Sequence, residues 1–288
     1  MPTLSQAELA AQYGWALSFL KSDKSLYAKF QQAVKGTWTP DRFVAELKST
    51  SWWKKNSESV RQYQYLKKTD PASFSRRLSA LKAQINDAGA AMGATTTWAQ
   101  ISRIADHALM FNWNDSQVRD ALAAYTRAVN GVYHGKAGTD VDELRQTAWR
   151  NGISLSGSTL QTWAQNIAKG TATVGYYQQQ VRRQAKTLAP GYAQELDGGM
   201  DLYDVANAYI QSKAKVLEMN PADVDLFDKD VRSALSSKDA KGKPTSKSLW
   251  QFEQDLRKQP AWLRTQNAQD QVMSVGRQVL RDFGFQGT

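Results

Sequence analysis

Residues 38–66 carry the pattern that decides the fold: Trp38-Thr39-Pro40-Asp41-Arg42-Phe43, then Leu47, then the pair Trp52-Trp53, then Val60, Tyr63 and Leu66. Thr39 before Pro40 is a helix start. The hydroxyl accepts a bond from an orphan backbone N–H, and proline lacks the N–H that would go unpaired at the first helical position. Phe43 and Leu47, four residues apart, then lie on one helix face. The same order returns near the C-terminus as Leu249-Trp250-Gln251-Phe252, Leu256, Trp262, Gln269, Val272 and Val275, with Phe to Leu four residues and Leu to Trp six in both copies. Upstream, Leu20, Phe30 and Val34 align with Leu217, Phe227 and Val231. The offset then grows by twelve across an insertion containing Lys238-Asp239-Ala240-Lys241-Gly242-Lys243-Pro244. Repetition over this length implies one supersecondary unit used more than once.

Working outward, helical spacing continues. Leu4 to Lys21 reads as a first helix through Leu9, Tyr13, Ala16, Leu17 and Leu20, and Ser22-Asp23 starts a second through Leu26, Phe30 and Val34, which Gly36 ends. Ser51 or Asn56-Ser57 opens a basic helix through Tyr63 and Leu66. After the turn Thr69-Asp70-Pro71, the residues Phe74, Leu78, Leu81 and Ile85 keep the period, and the Gly/Ala-rich stretch 86–93 is a candidate boundary. A weaker repeat occupies the middle. Trp98-Ala99-Gln100, Ile104 and Val118 are echoed by Trp163-Ala164-Gln165, Ile167 and Val181. Each copy is a helical hairpin, turning at Asn112–Asp115 and Gly170–Thr173, with residues 130–139 a loop between them. Beyond Pro190, Asp201 to Leu217 is a helix, Asn220-Pro221 starts another, and two more run over 248–258 and 262–283, the last stopping at Gly284. Strand signals are scarce. The expectation is an all-α protein of repeated helical units: a basic unit over 1–86, two hairpins over 87–190, and a unit with an acidic start over 191–288.

Composition narrows the chemistry. The 288 residues are 41% hydrophobic and 22% charged, in the globular range and enough for a substantial core. With no cysteine, disulfides, thiol catalysis and cysteine-bound metals are excluded, and a reducing cytosol is an adequate place of assembly. His107 and His134 are the only histidines and fall in different segments. Neither a secretory leader nor an apolar run long enough to span a bilayer is legible, so the reading is a soluble protein made in the cytoplasm.

Net charge is +10, unevenly spread. From Lys48 to Lys82, nine Lys/Arg face only Glu58 and Asp70, while from Glu195 to Asp230 nine Asp/Glu face only three lysines. Lys54, Lys55, Arg61, Lys67, Lys68, Arg76 and Arg77, interleaved with aromatics, are candidate nucleic-acid contacts. The plainer reading makes Trp53 and Tyr63 core residues, as their counterparts Trp262 and Val272 imply, and leaves a solvated basic face. Trp52 with Asp223, Asp225, Asp228 and Asp230 forms a candidate interface, because opposite charges at the two ends permit contact between copies. The alternating aspartates also invite a calcium reading. Counted from Asp223, however, Asp228 and Ala234 stand where an EF-hand needs Gly and Glu, and helix starts explain the carboxylates better. No metal or cofactor is expected.

Enzyme signatures are wanting. There is no nucleophile elbow and no glycine-rich phosphate loop. Glycoside cleavage needs only two carboxylates, yet Glu46, Glu58 and Glu195 form no acidic pair shared between the copies. The expectation is a non-enzyme.

Tyr13-Gly14-Trp15-Ala16-Leu17-Ser18-Phe19-Leu20-Lys21-Ser22, Trp38–Phe43, Thr50-Ser51-Trp52-Trp53-Lys54-Lys55-Asn56-Ser57 and Thr69-Asp70-Pro71-Ala72 resemble helical virion proteins of tailed phages that infect actinobacteria. Leu249–Glu253, Trp262–Ala268 and Gln278–Phe285 add to the likeness, which covers both outer units and, more loosely, the middle. The resemblance implies a structural place in the virion, as a minor tail or internal protein. The expectation is a virion component made in the host cytoplasm that binds sister copies or other virion proteins through its helical faces, with DNA against the basic face as a secondary expectation. The resemblance carries over no catalytic residue. The alternatives are a nucleic-acid-binding helical protein using residues 48–82, and a tail protein that grips cell-wall glycan with exposed tryptophans.

Overall fold

The structure is a computed structural model that describes residues 5–282. Helices make up 72% of the described residues, which add only one tiny two-stranded sheet, so the fold is all-α. Two compact units divide at Ala137/Gly138.

In the first unit the order is α1 (Gln6–Gln12), α2 (Leu17–Leu20), α3 (Lys24–Lys35), α4 (Pro40–Lys48), α5 (Ser51–Lys55), α6 (Glu58–Thr69), α7 (Pro71–Met92), α8 (Trp98–Phe111) and α9 (Asp115–Ala123); α10 (Gly135–Arg150) carries the division. Side-chain oxygens of Ser5, Asp23, Thr39, Thr50, Ser57, Asp70, Thr97 and Asn114 each accept a bond from a backbone N–H in the first turn of the helix that follows. Such caps supply the local start signals. The single helix expected over 4–21 is broken: Gly14 adopts φ +74° and α1 ends before it. The Gly/Ala-rich stretch 86–93 is not a break, for α7 runs to Met92 and ends at Gly93. Phe19, Leu20, Leu26, Phe30, Phe43 and Leu47 fill one core cluster, and Ile85, Ile101, Ile104, Ala105 and Leu122 another.

The second unit contains α11 (Gly157–Lys169), α12 (Val174–Leu188), α13 (Ala193–Asp197), α14 (Leu202–Leu217), α15 (Lys229–Leu235), α16 (Leu249–Arg257) and α17 (Gln266–Asp282). The segments expected to be hairpins hold the consecutive helices α8 and α9, and α11 and α12, but the loop expected at 130–139 is cut short because α10 begins at Gly135. Asn220-Pro221 starts only a short turn, Pro221–Asp223, and the lysine-rich insertion is a hairpin of β1 (Ser237–Lys238) and β2 (Pro244–Thr245). The expected stop at Gly284 lies outside the described residues. Leu202, Ala206, Tyr209, Ile210, Val231, Leu235, Phe252 and Leu256 form the core around α14. Buried Asn151 ties the end of α10 to α14, donating to Thr147 O and Asp201 Oδ1 at 2.9 Å each and accepting from Leu202 N at 3.1 Å.

The positions paired by the sequence echo are alike in some places and unlike in others. Phe43 and Leu47 in α4, like Phe252 and Leu256 in α16, occupy the fourth and eighth positions of nine-residue helices and are buried. Phe30, by contrast, is buried within α3, whereas Phe227 lies in the loop before α15 and is exposed.

Candidate functional site

The basic segment folds into α5, α6 and the start of α7. Short helices ending at Lys54-Lys55 and Lys67-Lys68 place cations beside unpaired carbonyls, where the helix dipole favours them. Lys54, Lys55, Lys68, Arg76 and Arg77 are exposed. Arg76 donates to Ser73 Oγ at 3.0 Å, and Lys67 Nζ lies 5.4 Å over the Tyr63 ring and 5.5 Å over Phe74. Arg61 is the most engaged of the seven. Its guanidinium lies 4.4 Å over the Trp53 ring and donates to the carbonyls of Asn56 at 2.6 Å and Trp53 at 3.2 Å, closing the end of α5. Among the described residues none of the seven cations lies within ion-pairing distance of a carboxylate. Lys55 and the pair Arg76 and Arg77 nonetheless act at longer range on Asp23 and Asp70, whose pKa values they help to lower.

The acidic stretch is arranged differently. Asp228 caps α15 with one oxygen and accepts from Lys213 Nζ with the other at 2.6 Å, while Asp230 takes a second Lys213 bond at 2.7 Å. The Lys213 side chain is only 6% exposed. Burial disfavours its charge, but the two aspartates outweigh that and raise its pKa; at Asp230, burial is likewise overcome by bonds from Lys213 and Gln259, and its pKa is lowered. Asp201 holds Arg150 at 2.6 Å and Arg182 at 3.3 Å. Asp225 accepts from Phe227 N at 2.8 Å within its own turn, and Asp223 ends the Pro221–Asp223 turn. Of the four aspartates assigned to an interface, two thus serve their own unit's buried lysine. Trp52, assigned with them, is a core residue: it packs on Phe19 and donates Nε1–H to Gln64 at 3.2 Å. In an adjacent tryptophan pair only one ring can turn fully inward, and sequence does not say which.

Comparison with family models, curated proteins and solved structures yields no match to this chain. The geometry therefore carries the functional argument.

Two features escaped the sequence. The first is a groove of about 650 Å³ bounded by the start of α2, the end of α4, α5 and α6, with Trp15, Phe19, Trp52, Trp53 and Tyr65 as apolar lining and Lys48, Glu58, Arg61 and Gln62 as polar lining. Its signal was present in the spacing of Glu58, Arg61, Gln62 and Tyr65, which forms one stripe of α6. The second is the surface of the last three elements, where α16 packs on the turn Trp262–Arg264 and that turn on α17. Trp250 and Val272 are each 68% exposed, Leu263 67% and Met273 61%, with Leu249 and Val275 also exposed. Val272 is the counterpart of Tyr63, which is buried under Phe74 and donates its hydroxyl to Asp106 of α8. The inference that both positions are core holds for Tyr63 and fails for Val272.

Proposed function

We propose that this chain is a non-enzymatic structural component of a tailed-phage virion, a minor tail or internal protein that assembles with sister copies or other virion proteins through helical faces. The observation that supports it is the set of large apolar side chains left exposed on α16, the Trp262–Arg264 turn and α17. Scattered apolar surface is normal, but this many large apolar residues on successive packed elements support reading them as an interaction surface. The resemblance of Trp38–Phe43, Thr50–Ser57 and Leu249–Glu253 to actinobacteriophage virion proteins supports the setting. On this reading the outer units are two uses of one helical module. In the first, α6 is covered by α7 and α8; in the second, α17 keeps an open face for assembly.

Sedimentation velocity of the full chain tests the assembly. Defined multimers are expected for the wild type, and Val272→Glu is expected to shift the population toward monomer while its thermal midpoint stays within a few degrees. A wild type that remains monomeric at every concentration and is absent from purified particles would sink the proposal.

A further inference from the structure

The aromatic groove of the first unit is a site that the assembly reading leaves unused, and its chemistry is specific. The rings of Trp15, Trp53 and Tyr65 are partly buried, so they are held in place yet keep surface open to a ligand. Trp15 meets Trp53 edge-on at 6.2 Å and Tyr65 at 5.8 Å, which fixes the walls at steep angles to the Trp15 plane. Phe19, stacked under Trp15 at 5.7 Å, closes the floor. The volume of about 650 Å³ falls within the roughly 300–1,000 Å³ of ligand pockets. Along α6, Lys68 follows Tyr65 by three residues and prolongs the stripe that begins at Glu58 and Arg61. Lys48 lines the groove together with one carboxylate, Glu58, and among the described residues neither Lys48 nor Lys68 has a carboxylate at ion-pairing distance, while Arg61 is held by the Trp53 ring and the carbonyls of Asn56 and Trp53.

Charge complementarity selects the occupant. The first unit carries 18 Lys/Arg against 10 Asp/Glu, the second 19 against 17, so nearly all the excess charge is on the unit that holds the groove. A neutral glycan would use the rings and leave the cations unanswered. A duplex offers phosphates but keeps its base faces stacked, out of reach of walled rings. An unpaired strand offers both groups at once, because stacking tolerates any base and the phosphates need only cations.

We propose that the groove binds single-stranded nucleic acid, with a base laid against the open surfaces of Trp15, Trp53 and Tyr65 and the flanking phosphates on Lys48 and Lys68. The test is fluorescence anisotropy of the full chain with a labelled oligothymidylate across a salt series. The duplex of the same length and solubilised peptidoglycan fragments serve as competitors. The single strand is expected to bind with log Kd rising steeply in log salt, and the duplex to compete at least about tenfold more weakly, as expected if stacking matters. The double variant Lys48→Glu, Lys68→Glu is expected to lower the salt slope by about 0.7 for each phosphate that is no longer neutralised. A charge-matched control, Arg119→Glu with Arg127→Glu on exposed positions away from the groove, is expected to keep the wild-type slope. Equal competition by duplex, displacement by peptidoglycan fragments, an equal fall in slope for both double variants, or no binding by the wild type would each overturn the proposal.

Discussion

Lys213 shows how one residue settles a question of partners. Sequence presents Asp228 and Asp230 as surface carboxylates ready for a basic surface; the structure gives both to a lysine whose side chain is almost wholly buried. Removing that lysine leaves two carboxylates facing a low-dielectric gap. Lys213→Met is therefore expected to destabilise the protein by about 2–3 kcal/mol, less than the roughly 3–5 of a fully buried pair because the aspartates keep some access to water. Urea unfolding checks this, and a cost under about half a kcal/mol, the range of a surface pair, would contradict it. The pH dependence has a definite sign. The Asp230 and Asp201 pKa values are lowered in the fold, so their contribution is complete above the ordinary Asp value of about 3.9 and is lost as pH falls through the depressed folded values. The raised pKa of Lys213 works in the opposite direction: its contribution is present below 10.5 and is lost as pH rises through the folded value. None of these pairings was legible in the sequence, since Lys213 is fifteen and seventeen residues from its partners and a helix pattern does not name cross-element contacts.

At the scale of elements, caps and spacing were the legible part. Thr39-Pro40, Asp23 and Asp70-Pro71 start helices where their chemistry requires, and the spacing of apolar residues found the faces. Glycine was the harder signal. Gly14 ends α1, yet Gly89 sits inside α7, where it is buried and an added Cβ would lie 3.3 Å from Leu122. Tertiary packing against α9 outweighs the intrinsic cost of a helical glycine, about 1 kcal/mol. Gly93 is the opposite case. It terminates α7 at φ +91°, and a Cβ there would fall 2.0 Å from the His134 carbonyl oxygen. Gly93→Ala thus combines a left-handed backbone with a clash against main chain, and is expected to cost about 3 kcal/mol or more, measurable as a fall in thermal midpoint. A midpoint indistinguishable from wild type would show that the loop before α10 yields freely. The exposed apolar face of α17 was hidden for another reason: the pattern of Val272 and Val275 announces an amphipathic helix but does not say whether the chain itself supplies the cover.

Across the whole molecule, the all-α class follows from pattern alone, while the division at Ala137/Gly138 does not, because it falls within the single helix α10 and no compositional shift marks it. The same scale shows a difference between the units. The first holds an aromatic groove with Lys48 and Arg61 in its lining, and the second pairs Asp228 and Asp230 with Lys213 and leaves apolar side chains exposed at α16 and α17. The proposed assembly through one unit and the proposed polyanion contact through the other would together suit a nucleic-acid-containing particle. The most direct test is quantitative mass spectrometry of virions purified from cells that produce this chain. The account predicts peptides from both units at a fixed copy number per particle that survives high-salt washing; their absence from purified particles would contradict it.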